Sequence, residues 1–249
     1  MLERTLKEKF LYYQGHKDII HPLVLQKIED AFSVENTHTS TAIEGNTLSL
    51  METNLVLQEG LSIGGKKLRE IFEVVNHDKA YRFVQSSIEQ GVCLSLKLAK
   101  DIHALLMENI IIGGVFRNEN VRIVGAKHKP PHPFKMYEEL KFFEQDLLSK
   151  AESLSPIALA AWTHAEFVRI HPFIDGNGRT SRLLMNFQLM TNGYPAVAFP
   201  VESKAEYFNA LEHYALTREL EPFTQFVSRF VEARLDEYIE VIDQVLNSK

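Results

Sequence analysis

At 249 residues the chain is long enough to bury a sizeable core, and one compact body with a helical extension is the expectation. Apolar residues supply 45% and charged residues 24%, an ordinary soluble balance, and a formal net charge of -6 excludes a nucleic-acid surface, which needs clustered positive charge. The single cysteine, Cys93, excludes an internal disulfide and reads as a packing residue; with no signal-like N-terminus and no apolar run near the roughly 18–20 residues a bilayer demands, the expectation is a cytoplasmic protein without a membrane partner.

In chain order, Leu2, Leu6, Phe10 and Leu11, then Val24, Ile28 and Phe32, fall at helical spacing, with His21-Pro22 opening the second segment, so residues 1–35 read as a helical pair. Residues 36–46, rich in Thr, Ser and Asn and closed by Gly45, predict a short separate helix or capped loop in which Ser40 and Glu44 share a face. Residues 47–60, 66–90 and 94–111 continue the helical pattern, and His77 and His103 read as hydrogen-bonded core-edge histidines. From Gly113 the pattern changes. Val121 to Val124 alternate, and the prolines at 130, 131 and 133 forbid a helix, which predicts a short hairpin over about 116–132. Helices are predicted again over Tyr137 to Leu148, after Ser155-Pro156, from Leu183 to Gly193, and over 206–220 and 222–246.

Between two of these helices lies His171-Pro-Phe-Ile-Asp-Gly-Asn-Gly-Arg-Thr-Ser-Arg182. Consecutive amides at Gly176, Asn177 and Gly178, followed by a helix N-terminus, form an anion-binding nest. Arg179 and Arg182 are three apart and so predicted to share a helix face, where each suits a different phosphate of a polyphosphate. Asp175 is a hard oxygen ligand suited to a magnesium ion shared with phosphate, and His171 is placed as a general base.

His171, Phe173, Asp175, Gly176, Asn177, Gly178, Arg179 and Arg182 together match the Fic-domain signature H-x-F-x-[D/E]-G-N-G-R-x-x-R, and the chain resembles that family from about Ser40 to about Phe223. The resemblance implies an all-α, Fic-type helical bundle with a short β-hairpin flap. It also implies an enzyme that moves AMP from ATP to a hydroxyl of a target protein and releases pyrophosphate. His171 would then be the base, Asp175 the Mg2+ ligand, Gly176 to Gly178 the anion hole, and Arg179 and Arg182 the phosphate grips. Tyr207 matches the first of an aromatic pair near the adenine, while Phe208 departs from the usual second Tyr and Arg218-Glu219 replaces the usual Gly-Asp.

Ser40-x-x-x-Glu44-Gly is similar to the family's inhibitory motif, which implies that Glu44 pairs with Arg182 and keeps the terminal phosphate of ATP out. The same carboxylate would orient water for de-AMPylation. The hairpin, with Ile123, Val124 and Gly125 at its edge, resembles the flap that aligns a target's Ser, Thr or Tyr segment by strand addition. Residues 1–90 thus correspond to an N-terminal helical region holding the inhibitory helix (about 37–46), and 91–249 to the Fic core. No nucleic-acid partner is expected, and a homodimer is one state the resemblance allows. Two other readings stay open on the residues: a metal-dependent phosphodiesterase with a metal held by His164, His171 and Asp175 and water activated by Glu44, and a non-enzymatic nucleotide-sensing adaptor shut by Glu44.

Overall fold

Ten α-helices carry the fold of the computed structural model, which describes residues 5–247. They are α1 (Leu6–His16), α2 (Pro22–Ile43), α3 (Leu50–Glu59), α4 (Leu68–Glu89), α5 (Leu96–Leu106), α6 (Pro133–Ser153), α7 (Pro156–Ile170), α8 (Asn177–Thr191), α9 (Lys204–Thr217) and α10 (Glu221–Asn247). Their starts follow from local chemistry. Thr5 with Glu8 and Ser49 with Glu52 form reciprocal capping boxes, and Pro22, Pro133 and Pro156 occupy first-turn positions where the missing N–H costs nothing.

The centre of the bundle is the pair α7 and α8, against which α2, α4, α5, α6, α9 and α10 pack. Phe167, Phe173, Leu183, Leu184 and Phe187 are almost wholly buried there. Phe32 and Tyr81 join Phe223 and Leu235 in the same apolar cluster, so residues on both sides of position 90 share one core. Because α8 is buried nearly all round, its polar side chains Arg179, Arg182, Asn186 and Gln188 lie inside the protein. Buried donors need partners, and that demand builds the site described below. No described helix is long and apolar enough to cross a membrane.

Three expectations are corrected. Residues 36–43 are not a separate short helix but the last turns of α2, which ends at Glu44 with Gly45 at φ 104°. The predicted β-hairpin over 116–132 does not form, and no strand occurs among the described residues. The segment does turn, with the Ala126 amide donating to the Ile123 carbonyl at 3.3 Å and Gly125 at φ 84°. Its two arms do not pair with each other, because Pro130 and Pro131 supply no N–H to a ladder and Arg117 ties both ends to the body of the protein. Cys93, expected to pack, is exposed in the turn before α5.

Candidate active site

The turn from α7 to α8 is fixed by its own side chains. His171 ends α7 at φ 54°, a left-handed cap set before Pro172, whose ring disfavours a further helical residue. Asn177 then closes the loop on itself, its Oδ1 accepting the Phe173 amide and its Nδ2 donating to the Phe173 carbonyl, both at 2.9 Å. Gly176 is also left-handed (φ 76°), which favours glycine, and a Cβ there would push on the end of the Met107 side chain.

His103 of α5 supports this loop from below. Its ring stacks flat on Phe173 at 3.6 Å between centroids, its Nδ1 accepts the Gly114 amide at 2.8 Å, and Nε2–H donates to the Asp175 carbonyl at 3.0 Å. Burial pushes it down to about 4, so the ring is neutral and this bonding pattern fixes one tautomer. His103 was legible only as a buried histidine. Its role in holding the loop carried no local signal.

His171 is similarly neutral, pushed down to about 4 by burial. Its Nδ1 lies 3.2 Å from the Val168 carbonyl, so the proton resides on Nδ1 and Nε2 keeps its lone pair. The ring lines a cavity of about 650 Å3 bounded by Glu44, Gly178, Tyr207, Phe208 and the 123–126 turn. A neutral imidazole presented to a cavity is able to accept a proton there.

Arg182 projects from α8 toward Glu44 and Tyr207, which line this cavity, and is held by groups from two other stretches of chain. Nε donates to Ser40 Oγ (2.9 Å), Nη2 to the Ser40 carbonyl (2.8 Å) and to Glu44 Oε1 (2.8 Å), and Nη1 to the Tyr207 hydroxyl (3.0 Å). Tyr207 in turn donates to His164 Nε2 at 3.0 Å. Ser40 and Glu44 share a face of α2, one turn apart, and both reach Arg182. The Glu44 carboxylate also lies over the glycine turn: a Cβ on Gly178 would be 2.2 Å from Glu44 Oε1. A carboxylate oxygen therefore lies against Gly178 in the first turn of α8, the end of a helix that favours negative charge.

Arg179 does not join Arg182, contrary to the shared-face expectation. It is 2% exposed and turns to α4 and the loop, its Nη2 donating to Asp175 Oδ1 at 3.2 Å and its Nη1 standing 3.6 Å from Glu73. Asp175 Oδ1 also accepts the Gly176 amide at 2.6 Å, and Oδ2 accepts Arg69 Nη2 at 2.5 Å. Burial works against its charge, yet Arg179, the Gly176 amide and Arg69 hold Asp175 below the usual carboxylate range. Magnesium takes few protein carboxylates and keeps waters and phosphate oxygens in its remaining positions. A partly exposed carboxylate at the lip of an anion nest fits that donor set, with Arg69 as the one exposed competitor.

Tyr207, expected beside the base of a nucleotide, is 1% exposed, and its hydroxyl is spent on Arg182 and His164. Phe208, 42% exposed, presents more surface to the cavity. The phosphodiesterase triad does not assemble. His164 is fully buried against Tyr207 and Ser181, and no metal-holding group of three His, Cys, Asp or Glu side chains occurs among the described residues. His128 Nε2–H donates to the Arg169 carbonyl at 2.9 Å, and His132 caps α6.

Arg117 is a residue whose importance the sequence did not disclose. Its Nε donates to the His171 carbonyl (2.8 Å), Nη1 to Glu119 (2.7 Å) and Nη2 to Pro131 (2.6 Å), which fastens the 118–131 segment to the first residue of the motif. The segment's tip reaches α9, where Glu212 accepts the Lys127 amide, and Val124 is fully exposed at the turn.

Comparison with known proteins agrees with this geometry. Residues 93–189 match the model of the Fic/DOC family. The chain is 36% identical over 208 residues to the protein adenylyltransferase Fic of Drosophila persimilis and 37% identical to that of Drosophila grimshawi, in each case over 82% of its own length. It spans only 40% and 42% of those two relatives. Fic-1 from C. elegans (residues 134–508), solved unaltered and as a single-residue variant, superposes with TM-scores of 0.82 and 0.83 at 33% identity, over 95% of this chain and 70% and 71% of theirs. A Fic-domain protein of Bacteroides thetaiotaomicron, 24% identical, shares the fold with a TM-score of 0.87 over 96% of this chain and 97% of that one. With its signature loop, its helical frame and these relatives in agreement, the chain belongs to the Fic/DOC family.

Proposed function

We propose that this chain is a protein adenylyltransferase that transfers AMP from ATP to a hydroxyl side chain of a target protein, and that Glu44 holds it in a self-inhibited state. The observation that carries the reading is the 2.8 Å contact between Arg182 and Glu44, made beside Gly178 at the first turn of α8. The names of the curated relatives support the reaction. His171 Nε2 takes the proton of the target hydroxyl, and the hydroxyl oxygen forms a bond to the α-phosphorus. The bond from that phosphorus to the β-phosphate oxygen breaks, and pyrophosphate leaves. The amides of Asn177 and Gly178 and the Arg182 guanidinium hold the phosphates, while the Gly176 amide and Arg179 fix Asp175 in place. Magnesium, when bound at Asp175, supplies charge neutralisation of the phosphate oxygens.

Inhibition follows from exchange at one seat. A guanidinium group already engaged by a carboxylate cannot offer the same N–H to a terminal phosphate, and the added negative charge repels the nucleotide tail. Glu44 Oε2 is not engaged by Arg182, which favours a second use for the carboxylate: orienting a water to attack the phosphorus of an AMP-modified target and taking that water's proton, while the bond from phosphorus to the side-chain oxygen breaks and the proton passes through His171 Nε2 to the released oxygen. The exposed turn at Ile123, Val124 and Gly125 is the segment we assign to target alignment by backbone pairing.

The test is incubation of the purified chain with ATP labelled at the α-phosphate. Glu44→Gly is expected to label itself or added protein strongly, wild type weakly, and the double variant Glu44→Gly with His171→Ala not at all. A Glu44→Gly protein that binds ATP but labels nothing would leave the adaptor reading in its place.

A further inference from the structure

Asp175 is fastened by two arginines of unlike freedom. Arg179, on its own helix, is 2% exposed and cannot move without unpacking α8. Arg69, on α4 and 106 positions away in sequence, donates Nη2 to Asp175 Oδ2 at 2.5 Å with its side chain 52% exposed. Oδ1 is taken by the Gly176 amide and Arg179, so Oδ2 is the oxygen at which a cation has to arrive. Magnesium approaches a carboxylate oxygen to about 2.0–2.1 Å, closer than the guanidinium nitrogen now lies. Oδ2 keeps a second lone pair, but a divalent cation seated on it would share one oxygen with the guanidinium, and the two positive charges repel at that separation.

Arg69 also has somewhere to go. Its Nε donates to Glu73 Oε1 at 3.1 Å, one turn further along α4. Glu73 is itself steadied by Asn46 Nδ2 at 3.0 Å and by Arg179 at 3.6 Å, so it remains a fixed anion when Arg69 swings away. Displacement therefore breaks one exposed ion pair and strands no buried charge, a small cost.

We infer that Arg69 is a resident counter-ion of Asp175 which a divalent cation must displace, so that this arginine sets how tightly the carboxylate takes metal. The inference rests on the assignment of Asp175 as the metal carboxylate. Arg69 is a positioning residue here: it acts through Asp175.

The experiment titrates the full chain with Mn2+ alone and follows the free aquo-ion by electron paramagnetic resonance, for wild type, Arg69→Ala and Asp175→Ala. Melting curves without metal check that each variant is folded, which the exposure of Arg69 favours. Arg69→Ala is expected to bind Mn2+ up to roughly fivefold more tightly than wild type, the range an exposed ion pair accounts for. In wild type, the Arg69 Nε–H resonance is expected to shift during a Mg2+ titration with the same midpoint as metal binding. Unchanged or weaker Mn2+ affinity in Arg69→Ala, or an Arg69 resonance indifferent to Mg2+, overturns the inference while loss of Mn2+ in Asp175→Ala leaves the metal assignment standing. Unchanged affinity in Asp175→Ala overturns the assignment and the inference together.

Discussion

Arg182 and Glu44, 138 positions apart, meet through Nη2 and Oε1 at 2.8 Å, and the pair is unequal: the guanidinium is 5% exposed and the carboxylate 35%. Ser40 and Tyr207 hold the arginine independently of Glu44, so removing the carboxylate leaves the grip in place and only vacates its outer N–H. Glu44→Gln keeps an acceptor in the same position but removes the charge, and a neutral hydrogen bond is about half as strong as a charge-assisted one. Transfer by Glu44→Gln is expected to fall between wild type and Glu44→Gly, roughly tenfold above wild type for a loss near 1.4 kcal/mol. Labelling rates at one ATP concentration measure this, and a Gln variant as inactive as wild type would mean that bulk, not charge, keeps the nucleotide out.

Gly178 separates folding from phosphate seating. Its φ is not left-handed, so alanine there is compatible with α8 and gains helix propensity. The added Cβ would fall 2.2 Å from Glu44 Oε1 and 3.2 Å from Arg182 Nη1, and the first of these is the end of a flexible side chain that can withdraw. Gly178→Ala is thus expected to melt within a few degrees of wild type, a change below about 1 kcal/mol. In the Glu44→Gly background the same methyl still fills the seat for phosphate, and ATP affinity and transfer are expected to fall together by at least about tenfold. Calorimetric titration with ATP and the labelling assay provide the two readouts.

The buried histidines give the chain a definite pH signature. Burial pushes His171 and His103 down to about 4 and His77 to about 3. Unfolded, each returns to about 6.5, so between those values the unfolded chain binds more protons than the folded one. Their contribution to stability is whole above about pH 6.5 and drains away as pH falls through the folded values, which predicts a melting temperature that declines steadily below pH 6.5. Transfer by Glu44→Gly is expected to stay level from pH 8 to 6, because the base is already neutral there. Glu44 raises the His171 value slightly, so its removal shifts any acid limb lower still. An acid limb centred near 6.5 would contradict the buried, neutral base.

The helices and the signature loop were legible because periodicity and caps are local, and because the loop's chemistry lies within twelve consecutive residues. What escaped was set by partners remote in sequence. Residues 36–43 carry β-branched and capping residues that favour a break, yet packing of Ser40 on Arg182 and of Thr37 on His77 draws them into α2. Arg179 and Arg182 share a helical face by spacing, but Glu73 and Asp175 pull one away while Ser40 and Glu44 claim the other. The alternation at Val121 to Val124 resembled a strand, and the prolines at 130 and 131 were read as excluding a helix when they equally deny a partner arm its N–H groups. Arg69, His103 and Arg117 each act on atoms more than fifty positions away, at Asp175, Asp175 and His171 respectively, where no spacing rule reaches.

Arg117 offers the sharpest test of that long-range construction. It is 1% exposed, no carboxylate among the described residues pairs with it, and carbonyls accept from its guanidinium, so burial pulls it below the usual arginine range. The Arg117 amide also donates to the Pro172 carbonyl at 2.9 Å, so main chain and side chain together clamp the 118–131 segment to the start of the signature loop. Arg117→Met keeps the apolar stem but leaves the carbonyls of Glu119, Pro131 and His171 without their donors, at a cost of about 2–4 kcal/mol even after some of them find water. The variant is expected to melt several degrees lower and to exchange amide hydrogens faster across 118–131, with the centre of α8 unchanged. With the His171 carbonyl released, the imidazole loses a constraint on its position, and transfer in the Glu44→Gly background should drop further than ATP affinity does. Arg117→Lys retains the charge and reaches fewer of those oxygens, so it belongs between the two in both measurements. Faster exchange spread evenly over the whole chain would mean that Arg117 is a general core residue, with no particular hold on this segment.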